Sequence, residues 1–430
     1  MNHPINIIFD ATVLTNGFHK NDSRSGIFFV ATNILKQFKN RADVNLALYV
    51  SPEKYAEEYR LKKESFPDDV FLHDFSNPCF IYLTKILTKL WSIYENQSNW
   101  ILLKKIAAAG IIILQAFFRR FIKISSTQKK LQKTDLFFSP AYKIPDFIRK
   151  SPNIRCYIIF YDAIPFVQLK CYSSTDWANY LKEIIQSTKP TDNIFYISKQ
   201  TKKDLESIFP FLSKSSSYIS YLAANENFRV IKDPVRLQHL KKKYRIPSKK
   251  KYIFSLCTIE PRKNLVRAVQ CFLHFVKKHN INDLIWVMGG GQWESFIKEL
   301  TKKNIKWDPK YIIRAGYIDD EDLPVLYSNA EWFVYTSQYE GFGLPPLEAM
   351  QCGCPVITSN NSSLPEVVGD AGIMIDWDSD EQHIDAYEKY YFNEELRNEN
   401  SRKGIEQAKL FSWNKTVDKM INVMMNKPAI

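Results

Sequence analysis

The sequence predicts an α/β protein: two doubly wound, Rossmann-like domains facing a central cleft. Three observations predict it. Short apolar runs rich in Ile, Val, Phe and Tyr alternate with stretches of helical period, most regularly in the second half. The 430 residues suffice for two domains of ordinary size. Residues 331–358 read as a buried strand, a glycine loop, a helix and a further strand, the unit on which α/β sheets hold phosphorylated ligands.

The first domain is assigned to residues 1–228. It opens with a strand at 5–10. A polar loop with Asn16-Gly17 and Ser23-Arg24-Ser25-Gly26 leads into a helix over 27–38, then a strand at 44–50. A basic, apolar insertion occupies about 79–130. Strands follow at 135–138, 156–161, 193–197 and 217–221, and Ser198 reads as the N-cap of a helix through Asp204 and Leu205. Residues 223–250, with Asn, Pro and the run Lys241, Lys242, Lys243, read as the linker and entry to the second domain, residues 229–410. There the pattern is strand 251–257, helix 264–278, strand 284–288 ending in Gly289-Gly290-Gly291, strand 311–315, helix 320–329, strand 332–336, the glutamate-bearing loop with its helix, and strand 356–358. A last helix, 413–425, lies in the segment 411–430.

Composition excludes several classes. An apolar fraction of 45 % is that of a folded chain, not a disordered one. Seven scattered cysteines and no secretory signal point to free thiols in a reducing cytoplasm. Cys352 and Cys354 flank Gly353 without a second pair, so they read as packed small residues. No H-E-x-x-H spacing marks a zinc centre, and no G-x-G-x-x-G follows the first strand, against a dinucleotide oxidoreductase. The net charge of +13 calls for an anionic partner, yet no nucleic-acid module is recognisable. An anionic membrane surface is the alternative. Residues 106–118 are uncharged and flanked by Lys104, Lys105, Arg119, Arg120 and Lys123, but a bilayer span needs about 20 apolar residues. The segment reads either as an interfacial helix, peripheral at the inner face of the cytoplasmic membrane, or as a buried helix of the first domain.

The chemistry concentrates in Glu340-Gly341-Phe342-Gly343-Leu344-Pro345-Pro346-Leu347-Glu348. Gly341 and Gly343 permit φ > 0 and leave backbone N–H groups uncovered, and the helix that follows offers its positive end to a diphosphate. Pro345 and Pro346 suit a first helical turn. Glu348, a turn into the helix, is placed to accept from both hydroxyls of a ribose. Glu340 stands at the C-terminal end of a strand, where open sheets bind ligands. An ion-paired turn acid and helix acid is the plainer alternative. Arg262-Lys263 lies at the mouth of the cleft and suits phosphate. Asp378-Ser379-Asp380 and Asp320-Glu321-Asp322 look like helix starts, not metal loops.

The stretch 340–349 resembles the retaining glycosyltransferases of family 4, whose signature is two glutamates separated by seven residues in the context E-G-F-G-L-P-x-L-E-A. Ile259-Glu260-Pro261-Arg262-Lys263-Asn264-Leu265 and Ser363-Leu364-Pro365-Glu366-Val367-Val368-Gly369-Asp370-Ala371-Gly372 match in order and spacing, and the match is strongest over 250–415. The resemblance implies the GT-B fold, with the last helix crossing back to the first domain. It implies that Glu340 holds the transferred sugar, Glu348 the ribose, Arg262 and Lys263 the diphosphate, and the backbone of Gly341, Phe342, Gly343 and Leu344 the phosphate and sugar. Gly26 and Arg24 would approach the donor from the first domain. Two departures stand out. Cys257-Thr258 occupies the place of a frequent Gly-Thr or Gly-Arg. Tyr161-Asp162 replaces a frequent His-Asp, so Tyr161 would position the sugar and Asp162 would accept from a hydroxyl or simply cap its turn.

The resemblance further implies retention by a front-face route without a metal or other cofactor. The E-P-R-K-N and Y-D-x-I-P segments look most like bacterial O-antigen and capsule mannosyl- or rhamnosyltransferases. The implied partners are a nucleotide-sugar donor, first of all GDP-mannose, and a lipid-linked saccharide acceptor. Two other classes remain open: an inactive membrane-associated binding protein on this scaffold, and a nucleotide-sugar epimerase.

Overall fold

Most strands are short runs of Ile, Val, Phe or Tyr buried on both faces, which is what parallel sheets covered by helices require. The structure, a computed structural model, describes residues 4–16, 26–73, 78–95, 101–121, 133–168 and 175–425. Among these, twelve strands form two six-stranded sheets. The first contains β1 (Ile5–Asp10), β2 (Val44–Tyr49), β3 (Leu136–Ser139), β4 (Arg155–Phe160), β5 (Asn193–Tyr196) and β6 (Ser216–Ile219), in the order β2-β1-β3-β4-β5-β6. The second contains β7 (Lys251–Leu256), β8 (Leu284–Gly289), β9 (Ile312–Gly316), β10 (Phe333–Tyr335), β11 (Val356–Ser359) and β12 (Ile373–Ile375), in the order β12-β11-β10-β7-β8-β9. Their pairings are parallel. Strand order reverses between β1 and β3 and again between β7 and β10. Crossovers diverge at such points and leave a crevice at the strands' C-terminal ends.

The core of the second sheet carries a polar thread through this reversal. The fully buried Trp286 of β8 donates its indole N–H to Ser255 Oγ of β7 at 3.0 Å, and Ser255 donates to the Val334 carbonyl of β10 at 2.8 Å. The Phe272 ring meets Trp286 edge-on at 5.3 Å. Cys352 and Cys354 are buried packing residues, and with Cys156, Cys257 and Cys271 they are unbridged thiols.

Residues 223–250 are not all linker. Asp233 caps a helix over Pro234–Lys243, accepting from Val235 N and Arg236 N at 3.0 Å each, with Pro234 in the first turn. The helix assigned to 320–329 spans only Leu323–Ser328, with Pro324 in its first turn; Asp322 precedes it and accepts from Lys243 (2.6 Å) and the Tyr244 hydroxyl (2.8 Å). The last helix, Trp413–Met425, buries Trp413, Val417, Met420, Ile421 and Met424 and packs on the first-domain helix Gly26–Lys39. Arg41 pairs with Asp418 there.

The insertion is a hairpin of two helices, Pro78–Glu95 and Ile101–Phe121. The second is neither wholly buried nor wholly free. Ala107, Ile111 and Phe118 are buried, the last two packing with Tyr55 and Leu87. Leu102, Ile112 and Ile113 are 70 %, 67 % and 67 % exposed, on the outer face with Leu103 and Ile106. No described helix is long and apolar enough to cross a membrane.

Replacing Ser255 by Ala strands the buried Trp286 N–H and should destabilise the protein by about 1–3 kcal/mol. Urea unfolding followed by tryptophan fluorescence checks this, and a drop under about 0.5 kcal/mol would show that the thread contributes nothing.

Candidate active site

The reversal between β7 and β10 brings two loops together. After β7 the chain runs through Cys257–Glu260 into a short 3-10 turn, Pro261–Lys263, closed by Asn264 in the left-handed region at φ 57°. After β10 it runs through Ser337–Gly343 into the helix Leu344–Gln351, with Pro345 and Pro346 in its first turn. Glu340 meets both cations of the first loop: Arg262 Nη1 at 2.8 Å and Lys263 Nζ at 2.6 Å. Lys263 also donates to the Tyr335 hydroxyl at 2.6 Å, and Arg262 to the Tyr339 carbonyl at 2.6 Å. Burial alone would raise the Glu340 carboxyl, but the Lys263 and Arg262 charges outweigh it and hold it at about 2. Two serine hydroxyls fix the loop backbone. Ser362 Oγ accepts from Glu340 N at 3.0 Å, and Ser363 Oγ lies 2.9 Å from the Glu340 carbonyl and 2.7 Å from that of Phe342.

A separate cavity of about 740 Å³ opens beside this cluster, between the domains. Gly26 and Phe29 line it from the first domain, Leu344, Pro345 and Glu348 from the glutamate loop and its helix, and Gly290, Gly291, Tyr317 and Asp320 from the ends of β8 and β9. Its volume lies in the range of roughly 300–1,000 Å³ typical of small-molecule sites. Burial pushes the Glu348 carboxyl up to about 7; the Tyr327 hydroxyl, 3.2 Å away, lowers it, and the Asp320 charge raises it. Gly290, at φ 125°, is where the β7 and β8 loops touch: a Cβ there would sit 1.8 Å from the Cys257 carbonyl oxygen.

The expected residues therefore fall into two groups. Gly26, Leu344 and Glu348 line the cavity, while Glu340, Arg262 and Lys263 face one another beside it. The cations expected on a diphosphate are held by Glu340, because a buried carboxylate needs its own counter-charges. The Phe342 ring packs with Tyr221 (6.1 Å) and Phe411 (5.8 Å), leaving its backbone to the turn. Gly343, at φ 121°, starts the helix Leu344–Gln351. Gly341 abuts the first domain, where a Cβ would lie 2.5 Å from the Tyr161 carbonyl oxygen and 2.7 Å from Asp162 Cβ.

Tyr161 does not reach the large cavity. Its ring packs on the first-domain core, its buried hydroxyl has no hydrogen-bond partner among the described residues, and it borders a small apolar hollow with Ile27, Leu181 and Ile184. Asp162 caps its turn, accepting from Ile164 N at 2.9 Å. Burial raises its carboxyl, against the Ile164 hydrogen bond and the nearby Arg262 and Lys263 charges. Arg24 lies outside the described residues. Asp378 and Asp380 are paired with Arg267 at 2.6 and 2.5 Å, and Ser379 caps the helix Asp380–Phe392. Sequence reasoning misses Gly290, Gly291, Tyr317 and Asp320 as site residues. The glycine run at the end of β8 is the available signal for the first two; the acidic run around Asp320 reads only as a helix start.

The family described as glycosyl transferases group 1 matches residues 238–407. The chain is similar to O-antigen chain mannosyltransferase B of Escherichia coli, 30 % identical over 290 residues that cover 64 % of this chain and 74 % of that one. It is also similar to the serotype-specific mannosyltransferase WbdA of Escherichia coli, 30 % identical over 263 residues, 60 % of this chain and about a third (32 %) of that one. Among solved structures, a glycosyltransferase from Rickettsia africae ESF-5 superposes with a TM-score of 0.62 at 15 % identity, covering 99 % of this chain and 100 % of that one, a likeness of fold. With the two facing Rossmann-like sheets and the paired glutamates at their junction, this chain belongs to the group 1 glycosyl transferases and is a glycosyltransferase of GT-B fold.

Proposed function

We propose that the protein is a retaining, metal-independent mannosyltransferase that moves mannose from GDP-mannose to a lipid-linked saccharide in O-antigen or capsule synthesis. The observation that carries this reading is Glu348 in an interdomain cavity of about 740 Å³ beside the Glu340–Arg262–Lys263 cluster. The names of the two Escherichia coli relatives support the sugar and the pathway class. In this reading the bond between the anomeric carbon and the diphosphate breaks, and a bond to the acceptor oxygen forms on the same face. The acceptor's proton passes to the departing diphosphate oxygen. Arg262 and Lys263, balanced by Glu340 and by Glu260 at 3.5 Å from Arg262, are the cations placed to stabilise the departing diphosphate. Glu348 holds the ribose, and the N-terminus of the helix Gly26–Lys39 faces the phosphates. Commitment of Asp378 and Asp380 to Arg267 supports transfer without a metal.

Turnover with GDP-mannose and a polyprenyl-diphosphate saccharide tests the reading. No turnover with any nucleotide sugar favours an inactive binding protein, and product without acceptor favours an epimerase. Glu340→Gln should lower kcat by about 10²–10³-fold while changing GDP affinity little, the scale seen when one positioned polar group is removed. Equal loss of kcat and GDP affinity would argue against its placement on the sugar.

Because Glu348 ionises near 7, its two-oxygen acceptor form is complete only above that pH. GDP affinity should therefore rise between pH 6 and pH 8, and the rise should vanish in Glu348→Gln. Isothermal titration at the two pH values decides, since a flat profile in the wild type removes Glu348 from the ribose.

We also infer that the helical hairpin seats the enzyme peripherally on the inner face of the cytoplasmic membrane. The exposed stripe Leu102, Ile106, Ile112 and Ile113 is accompanied by exposed Lys85, Lys89 and Lys105, the composition of an interfacial helix. The protein should sediment with vesicles containing phosphatidylglycerol and not with phosphatidylcholine alone. Ile112→Glu with Ile113→Glu should abolish this; undiminished sedimentation would remove the hairpin from the contact.

A further inference from the structure

Glu366, in the second domain, reaches the first domain through the end of a helix. The helix Lys199–Ile208 begins with backbone N–H groups that have no partner within it. Ser198 Oγ takes one of them, Thr201 N at 3.0 Å. The two oxygens of Glu366 take two more: Lys199 N and Gln200 N, each at 2.8 Å. The Tyr221 hydroxyl donates to the same carboxylate at 3.0 Å. A charged acceptor on two N–H groups at the positive end of a helix is a strong, directional contact.

The turn that Glu366 holds is in contact with the reacting loop. Ser198 Oγ donates to the Gly341 carbonyl at 2.8 Å, and Thr201 Oγ1 donates to the Tyr161 carbonyl at 3.1 Å. Further along the same helix, Asp204 accepts from the Tyr339 hydroxyl at 2.5 Å. Residues 339 and 341, on either side of Glu340, are thus both tied to one first-domain helix. The segment bearing Glu366 holds the loop from the other side, through Ser362 and Ser363.

We propose that Glu366 is a positioning residue for sugar transfer. By fixing the helix Lys199–Ile208 it sets the loop that bears Glu340 against the first domain. The proposal rests on the reading of Glu340 as the sugar contact. It separates Glu366 from the nucleotide cavity, where Glu348 acts, so Glu366 governs the chemical step and not nucleotide affinity.

The test measures kcat for transfer and the GDP Kd in parallel for wild type, Glu366→Ala, Glu366→Gln, Tyr221→Phe and Glu340→Gln. Small misplacements of reacting groups can lower rates by about 10²-fold. Glu366→Ala and Glu366→Gln should each lose about 10–100-fold in kcat with GDP Kd within about threefold of wild type. Tyr221→Phe, which keeps the carboxylate and removes one of its donors, should lose about 2–5-fold in kcat. A melting shift with GDP identifies the folded variants; if Glu366→Ala is not among them, Glu366→Gln and Tyr221→Phe decide the matter. A folded Glu366 variant with kcat within about twofold of wild type overturns the proposal, and so does a Kd that worsens as much as kcat falls. Full transfer by Glu340→Gln would instead overturn the site reading on which the proposal rests.

Discussion

A carboxylate taken out of water is a heavy liability unless opposite charge comes with it. Glu340 is 7 % exposed and is met by two cations within 2.8 Å. That constraint organises much of the site around it. Both cations must come from one turn at the end of β7, and the glutamate from the end of β10, so the two strands have to be neighbours with their helices leading away. The reversal of strand order at this pair supplies that geometry.

Much of this is legible in the residues. The strands of the second sheet are apolar runs between Gly, Asn and Asp, and one state fits them. The two glutamates, with glycines and prolines between them, specify a loop that enters a helix. Other features are hidden for physical reasons. The run Lys241, Lys242, Lys243 looks like a solvated linker, although Asp233-Pro234 is a helix start; the lysines lie in the helix's last turn, where cations suit its dipole. The apolar segment 106–118 reads as either buried or interfacial, yet its helix buries one face and exposes the other. Phe342 reads as part of a ligand loop because its neighbours are, but backbone and side chain of one residue can serve different ends. Periodicity shows which residues share an element, not which elements share a cavity, and so it cannot mark Tyr317 and Asp320.

The interface between the domains is rich in polar contacts, unlike the strand cores on either side of it. Ser198, Tyr339, Glu366 and Asp204 link the halves by hydrogen bonds, and Tyr221, Phe342 and Phe411 form an aromatic patch at the junction. Polar contacts of this kind exchange readily with water when surfaces separate, whereas a buried apolar seam resists separation. Such an interface suits domains that must part to admit a donor and release a nucleotide.

The helix Trp413–Met425 gives that motion a direction. The chain passes between the domains twice, once after β6 and once before Trp413, and the returning helix is packed against Gly26–Lys39. Two bodies joined at a single strand can swivel about it in any sense. Joined at two separated points, they turn about the line between those points, as a door turns on two pins. Any parting of the glutamate loop from the helix Lys199–Ile208 is then confined to a single arc.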